Sequence, residues 1–278
     1  MTTPDLVADD GDTIDAPRLS QSPRRGLTTR ATGVAIAIIA YLWFLADLAW
    51  AATFLADVPL VTAIDHGPVG PVGSAVLVDL MLLGLFAIHH SVMARDSAKR
   101  VVTAIVPAAL ERSTYVLGAD ALLGLVLWQW HPIAGQVWDV TAQPWRTLLW
   151  VGYALGWLIA VASTFMIDHA DFLGLRQAAT APGRYRQPTF RERWFYAWVR
   201  HPLMSGLLMA VWITPTLSLG HALFAGASTA YIVVGLRLEE RDLRRHHGEY
   251  AAYAARVPSL VPRPRRVGRC PVAHGRDG

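Results

Sequence analysis

LMSGLLMAVWITPTLSLGHALFAGASTAYIVVGLRL, residues 203–238, is an apolar run broken only in its middle, at Thr214-Pro215-Thr216 and Leu217-Ser218-Leu219-Gly220. Its 36 residues are too many for one spanning helix, which needs about 17–25. The stretch reads as a hairpin of two helices of roughly 18 residues, each about 27 Å long at 1.5 Å per residue. Such a hairpin either crosses a bilayer twice or enters and withdraws. In both cases it returns the chain to the side where it began.

Upstream lie four more apolar runs, at about Ala31–Ala56, Pro71–Met93, Thr114–Trp130 and Trp145–Ile167. Each is near or above the length of a span. Hydrophobic residues make up 53% of the chain and charged ones 17%, against about 25% charged in a soluble domain. Trp50, Trp130, Trp145 and Trp150 stand near the ends of the runs, as in an interfacial belt. The fold class expected is therefore all-α, a polytopic transmembrane helical bundle of four long spans plus a C-terminal helical hairpin, five to six spans in all.

Charge gives the orientation. Of the 25 Lys and Arg, 24 lie before the first run, between the second and third, between the fourth and the hairpin, or after the hairpin. Arg146 is the exception, and segments 57–70 and 131–144 hold none. By the positive-inside rule both termini are expected to be cytoplasmic. The net charge of +4 and pI near 9.5 therefore speak for a lipid bilayer as partner, and no nucleic acid is expected. Residues 1–29, polar and rich in Asp, Thr, Ser, Pro and Arg, read as a disordered cytoplasmic tail without a signal peptide. Residues 263–278 read as a flexible basic tail. Cys270 is the lone cysteine, which excludes an intrachain disulfide or a cysteine metal site.

Asp47, Asp79 and Asp120 interrupt apolar runs. Carboxyls at membrane depth face the bundle interior or a cavity; they serve interhelical hydrogen bonds or a proton or substrate path. His89 and His90 end the second run and His169 the fourth, at similar depth. The ten histidines are scattered rather than clustered as membrane di-iron sites require, and no metal site is expected. No G-x-G-x-x-G follows a strand, and there is neither a P-loop nor a G-x-S-x-G elbow, so soluble nucleotide-fold chemistry is excluded.

The hairpin is flanked by Val199-Arg200-His201-Pro202-Leu203-Met204-Ser205-Gly206 and by Arg237-Leu238-Glu239-Glu240-Arg241-Asp242-Leu243. Gly248-Glu249-Tyr250-x-x-Tyr253 and Val257-Pro258-Ser259-Leu260-Val261-Pro262 follow. Because the hairpin returns to its starting side, Arg200-His201-Pro202 meets Glu239-Glu240 at one membrane edge. Pro202 suits a first helical turn and drives His201 extended. Charges of both signs there either pair with each other and with anionic lipid, or hold a zwitterion. In the second case arginine takes a carboxylate bidentately and glutamate an amine or ribose hydroxyls.

The order R-H-P-x-x-x-G, apolar hairpin, E-E-x-x-L and Y-x-x-Y-x-x-x-V-P over residues 199–262 resembles the isoprenylcysteine carboxyl methyltransferase-like superfamily of membrane methyltransferases. Met204 stands where that pattern has tyrosine, so the tyrosine's role does not carry over. From about residue 40 onward, His89-His90-Ser91-Val92-Met93-Ala94-Arg95, Glu111-Arg112-Ser113-Thr114-Tyr115-Val116, Ser163-Thr164-Phe165-Met166-Ile167-Asp168-His169 and Asp171-Phe172-Leu173-Gly174-Leu175-Arg176-Gln177 look like its methanethiol S-methyltransferase branch, beside the NnrU-like proteins. The resemblance implies a membrane methyltransferase domain over residues 30–262, with residues 199–262 holding S-adenosyl-L-methionine. Arg200, His201, Pro202, Gly206, Arg237, Glu239, Glu240, Tyr250 and Tyr253 are the expected cofactor contacts, with Arg112 and Arg176 as alternates for the carboxylate. The acceptor implied is a small volatile thiol entering from the bilayer. His169 or His90 would deprotonate it, oriented by Asp171 or Asp168. A bacterial inner-membrane protein with a cytoplasmic active site is expected. Alternatives are a related enzyme for another thiol, a prenylcysteine or a lipid amine, and a non-catalytic or haem-associated NnrU-like protein.

Overall fold

The computed structural model describes residues 23–180, 184–185, 194–246 and 248–262. The expected tails at 1–22 and 263–278, with Cys270, lie outside the described residues. Ten α-helices and two short strands follow one another among them. They are α1 (Pro23–Leu55), α2 (Val72–Met93), α3 (Asp96–Ile105), α4 (Glu111–Trp128), β1 (Gln136–Asp139), α5 (Trp145–Ile167), α6 (His169–Phe172), α7 (Leu175–Ala179), α8 (Pro202–Trp212), β2 (Thr216–Ser218), α9 (Leu219–His246) and α10 (Gly248–Arg256). The helical-bundle expectation holds. Arg30–Leu55, Val72–Met93, Trp145–Met166 and Leu219–Arg245 are long and apolar enough to cross a membrane. Helix α4, with 18 residues, carries Glu111, Arg112 and Asp120 and packs against both α1 and α2. Helix α1 starts at Pro23, eight residues before the apolar run, so residues 23–29 of the presumed disordered tail are helical. Proline with its fixed φ opens a helix at no hydrogen-bond cost.

The hairpin departs from its expected symmetry. Its first helix, α8, has 11 residues and its second, α9, has 28. Thr214-Pro215-Thr216 ends α8 because Pro215 has no N–H to donate. The chain bends at Pro215, and β2 pairs antiparallel with β1, Asp139 opposite Thr216 and Trp138 opposite Leu217. Extended residues advance about 3.3 Å each against about 1.5 Å in a helix, so the non-helical 213–218 lets the short α8 reach the far end. The turn therefore lies at the end that carries the 57–70 and 131–144 connections, and Leu219 N–H donates to Gly135 O at 2.9 Å. The hairpin crosses the whole bundle rather than withdrawing halfway.

Two ends can now be distinguished. The far end gathers those two connections over a core of Phe54, Ile64, Leu127, Trp130, Ala210, Phe224 and Ala225. The basic end carries the termini of α2, α5 and α9, the start of α8, and the short helices α3, α6, α7 and α10.

Small residues hold α8 to α5. A Cβ on Gly206 would lie 2.5 Å from Ala160 N and 2.6 Å from Gly156 O. One on Gly156 would lie 2.7 Å from Ala210 N and 2.8 Å from Gly206 O. Gly152, Gly156 and Ala160 recur every fourth residue and form one smooth stripe along α5, against which the Gly206–Ala210 stripe of α8 lies. This is the small-residue solution to helix packing in a solvent as apolar as the side chains. Tyr153 OH donates to Ala52 O and ties the same helix to α1. Gly156→Leu and Gly206→Leu are each expected to lower the melting temperature of detergent-solubilised protein by many degrees, since overpacking costs about 1–3 kcal/mol or more. Gly226→Leu, at a glycine with open space around it, is expected to leave the melting curve unchanged.

Candidate active site at the basic end of the bundle

The chain enters α8 through an extended tripeptide. Arg200 N–H donates to Pro258 O at 2.9 Å and His201 N–H to Ser259 O at 3.1 Å, so residues 199–201 are zipped to the end of the described chain. Pro202 then starts α8, and His201 before it is non-helical at φ −127°. Helix α9 delivers Glu240 to the same place. Its Oε1 accepts from Arg200 Nε at 3.0 Å and Nη2 at 2.6 Å, from Ser259 Oγ at 3.0 Å, and meets His201 Nε2 at 3.1 Å. Arg200 Nη1 donates to Ala254 O at 2.9 Å and Val257 O at 2.5 Å, closing the C-terminal turn of α10. The juxtaposition expected from the hairpin is present, and it is a buckle: Arg200 and one oxygen of Glu240 are largely used up inside the protein.

The remaining expected contacts divide. Glu239 has its side chain 57% exposed, against 15% for Glu240, and its Oε2 lies 3.9 Å from His201 Nδ1. Arg237 is exposed one turn earlier. Among the described residues, Glu240 Oε2 pairs with Arg244 Nη2 at 3.5 Å. These groups are open to a ligand. Gly206 is buried in the α5–α8 crossing and Pro202 is buried at the helix start, so neither meets a ligand surface. Tyr253 is buried and its hydroxyl donates to Tyr196 O at 2.7 Å, pinning α10 rather than closing over a site. Tyr250 packs with Tyr253 and Val257 beside the Arg200–Glu240 pair. A cavity of about 230 Å³ lies against Arg200 and residues 254–259.

The histidines lie in two further groups. His90 is approached by Tyr115 OH, 3.0 Å from Nδ1 and 2.9 Å from Nε2, and is stacked on Phe86 with Tyr231 at its edge. Arg112 stands 5.6 Å over both the Tyr115 and Phe172 rings and donates from Nε to Phe172 O. His169 meets Thr164 Oγ1 at 2.7 Å through Nδ1 and Tyr41 OH at 3.2 Å through Nε2, and it stacks on Phe165. The expected carboxylate partners are elsewhere. Asp168, at φ 121°, turns to cap α6 through Asp171 N–H and to pair with Arg176. Asp171 accepts from Tyr185 OH at 3.0 Å; burial and this carboxylate push the Tyr185 hydroxyl up to about 12. Among the described residues, hydroxyls rather than carboxylates hold both imidazoles. Tyr41, Thr164, Tyr115 and Ser259 are the partners that sequence reasoning missed. Tyr115 and Thr164 stood inside quoted motifs, whereas nothing marked Tyr41.

A helical membrane bundle with a charged buckle where its last two helices meet is the class these features define. Comparison with known proteins narrows it. The chain is 45% identical over 229 residues to a methanethiol S-methyltransferase of Mycobacterium tuberculosis, covering 81% of this chain and 94% of that one. It is 47% identical over 230 residues to methanethiol S-methyltransferase 2 of Bradyrhizobium diazoefficiens, covering 82% and 88%. Mouse nurim is 32% identical over 178 residues, 60% of this chain and 67% of nurim. No family model and no solved structure matches. The chain belongs to the methanethiol S-methyltransferase family.

Burial pushes the His169 imidazole below its ordinary 6.5, so the folded protein holds that proton less tightly than the unfolded chain. The stability this neutral imidazole contributes is full above about pH 6.5 and falls as pH drops through that value, where only the unfolded state takes up a proton. The melting temperature is expected to fall between pH 7 and pH 5, and His169→Asn is expected to flatten that slope.

Proposed function

We propose that this protein transfers the methyl group of S-adenosyl-L-methionine to methanethiol, releasing dimethyl sulfide, at a site on the basic end that faces the cytoplasm of a bacterial inner membrane. The observation that carries the reading is the buckle. It brings Glu240 Oε2 and His201 to the membrane edge, with Glu239 and Arg237 exposed beside them on α9, in a chain whose relatives are named for methanethiol S-methylation.

That set suits a zwitterionic sulfonium nucleoside. Arg237 would take the methionine carboxylate, and Glu239 the amine or the ribose hydroxyls; the group brings an electrophilic methyl on a positively charged sulfur. Arg200 does not change partners in this scheme, because its donors close the α10 turn and bind Glu240. Its work is to keep Glu240 ionised and still. A displacement at carbon needs alignment and a competent nucleophile. The cofactor would supply the methyl and leave with the electron pair of its sulfonium C–S bond, while an imidazole of this chain would take the proton from the thiol S–H. His90 and His169 are the candidates for that proton. Each is fixed by hydroxyl groups, His90 by Tyr115 and His169 by Thr164 and Tyr41. The acceptor reaches them from the bilayer, where a small apolar thiol partitions.

Headspace dimethyl sulfide from cells fed methanethiol tests the reaction. Wild-type protein is expected to give product. Glu239→Gln is expected to raise the KM for S-adenosyl-L-methionine at least tenfold with an unchanged melting curve. Glu240→Gln is expected to lose both activity and thermal stability, because it opens the buckle. No product from wild-type cells overturns the assignment, and an unaltered KM in Glu239→Gln overturns the site.

A further inference from the structure

Asp47 on α1 and Asp120 on α4 are 3% and 4% exposed and close enough to interact. Asp47 accepts a hydrogen bond from Trp43; among the described residues Asp47 Oδ2 and Asp120 Oδ2 have no hydrogen-bond partner. No Lys, Arg or His forms an ion pair with either carboxyl among the described residues. Beside Asp47 opens a lateral groove of about 290 Å³ lined by Trp43, Asp47, Trp50, Ala121, Gly124 and Trp128. The Trp50 indole N–H has no partner either. Trp43 and Trp128 are exposed on the outside of the bundle and form the rims, while the Asp47 carboxylate lies over Gly124 on the floor.

Two buried carboxyls without a cation are costly in hydrocarbon, and what this place lacks is positive charge. Three indoles around a carboxylate are the surroundings that favour a methylated onium, since tryptophan has the strongest cation–π face and the contact strengthens when desolvated. Two carboxylates are too few for a metal ion, and no group of three or more ligating side chains occurs among the described residues. Depth agrees. Gly124 lies four residues from the end of α4 at Trp128, about 6 Å along the helix, so a cation from the far headgroup layer descends one turn to reach Asp47.

We propose that the groove between α1 and α4 is a binding site for a methylated onium cation, held by Asp47 and caged by Trp43, Trp50 and Trp128. It lies in the half of the bundle away from the buckle and does not depend on the methyl-transfer reading. The same chemistry is offered by a choline headgroup and by a free tetraalkylammonium or trialkylsulfonium ion.

Titration calorimetry of the full chain in phosphatidylglycerol nanodiscs, with tetramethylammonium and trimethylsulfonium chlorides against sodium chloride, tests the proposal. Saturable binding is expected for both onium ions and not for sodium. Asp47→Asn is expected to weaken it at least tenfold. Trp43→Leu, which removes one wall of the cage and the indole N–H on Asp47, is expected to weaken it several-fold. Phosphatidylcholine added to the discs separates the sources: competition identifies the lipid headgroup as occupant, and its absence a free cation, either result supporting the site. No heat beyond sodium chloride in the wild type overturns the proposal, leaving the two acids as a proton-sharing pair. Unchanged affinity in Trp43→Leu also overturns it.

Discussion

The approach of α8 to α5 is the constraint on which the basic end depends. In water two helices are driven together by burying apolar side chains, but in a bilayer that drive vanishes and close backbone contact replaces it. Gly156 and Gly206 permit the contact because neither carries a Cβ. The position of α8 then sets everything after it. Its N-terminus fixes Arg200 and His201, and its far end hands the chain to β2, whose pairing with β1 decides where α9 begins. Helix α9 runs back the full length of the bundle and arrives with Glu240 facing Arg200. A shift of α8 by one turn would separate those groups by about 5 Å and leave two charges unpaired.

The buckle has a second consequence. A buried arginine is costly unless all its donors are used, and here backbone carbonyls share the work with one carboxylate oxygen. The cation that sequence reasoning assigns to the cofactor is thereby committed to architecture. Its neighbours, Glu239 and Arg237, are left as the adaptable pair. Rigid support beneath open charge is the arrangement that precise positioning of a ligand needs.

The spans and the meeting of Arg200-His201 with Glu239-Glu240 were legible because hydropathy and chain connectivity alone determine them. The division of the hairpin into 11 and 28 residues was not, since an apolar segment satisfies hydropathy equally as helix or as strand. Only the presence of β1 as a partner makes extended backbone tolerable at residues 216–218. Partner choice was also hidden at the histidines. His169 and Asp171 are two residues apart, which invited pairing, but the positive φ of Asp168 starts a new helix and turns the carboxylates toward Arg176 and Tyr185. Tyr41 reaches His169 from 128 residues away, and no local pattern can announce such a contact. Gly206 and Tyr253 both stand in the flanking motifs of the hairpin, yet one is a packing surface and the other a backbone tether. Spacing along the chain brings residues to one end of the bundle without showing what each one touches there.

The three intramembrane aspartates, alike in sequence, are physically unlike. Asp79 is fully buried but accepts the His131 N–H at 3.0 Å, where the chain leaves α4, with the His131 ring 3.7 Å away. It fastens a connection at the far end, and its charge has a nearby donor and an imidazole to face. Asp47 accepts from Trp43 and lies near Asp120 beside the indoles of α1 and α4, and among the described residues neither carboxyl pairs with a cation. Each of the three keeps one oxygen without a hydrogen-bond partner among the described residues. What separates them is where the carboxyl lies: Asp47 lines a groove that opens on the outside of the bundle, whereas Asp79 is enclosed at the far end beside His131. The difference between these sites is therefore a difference in access: a carboxyl of equal burial can be met by a ligand only where a groove leads to it.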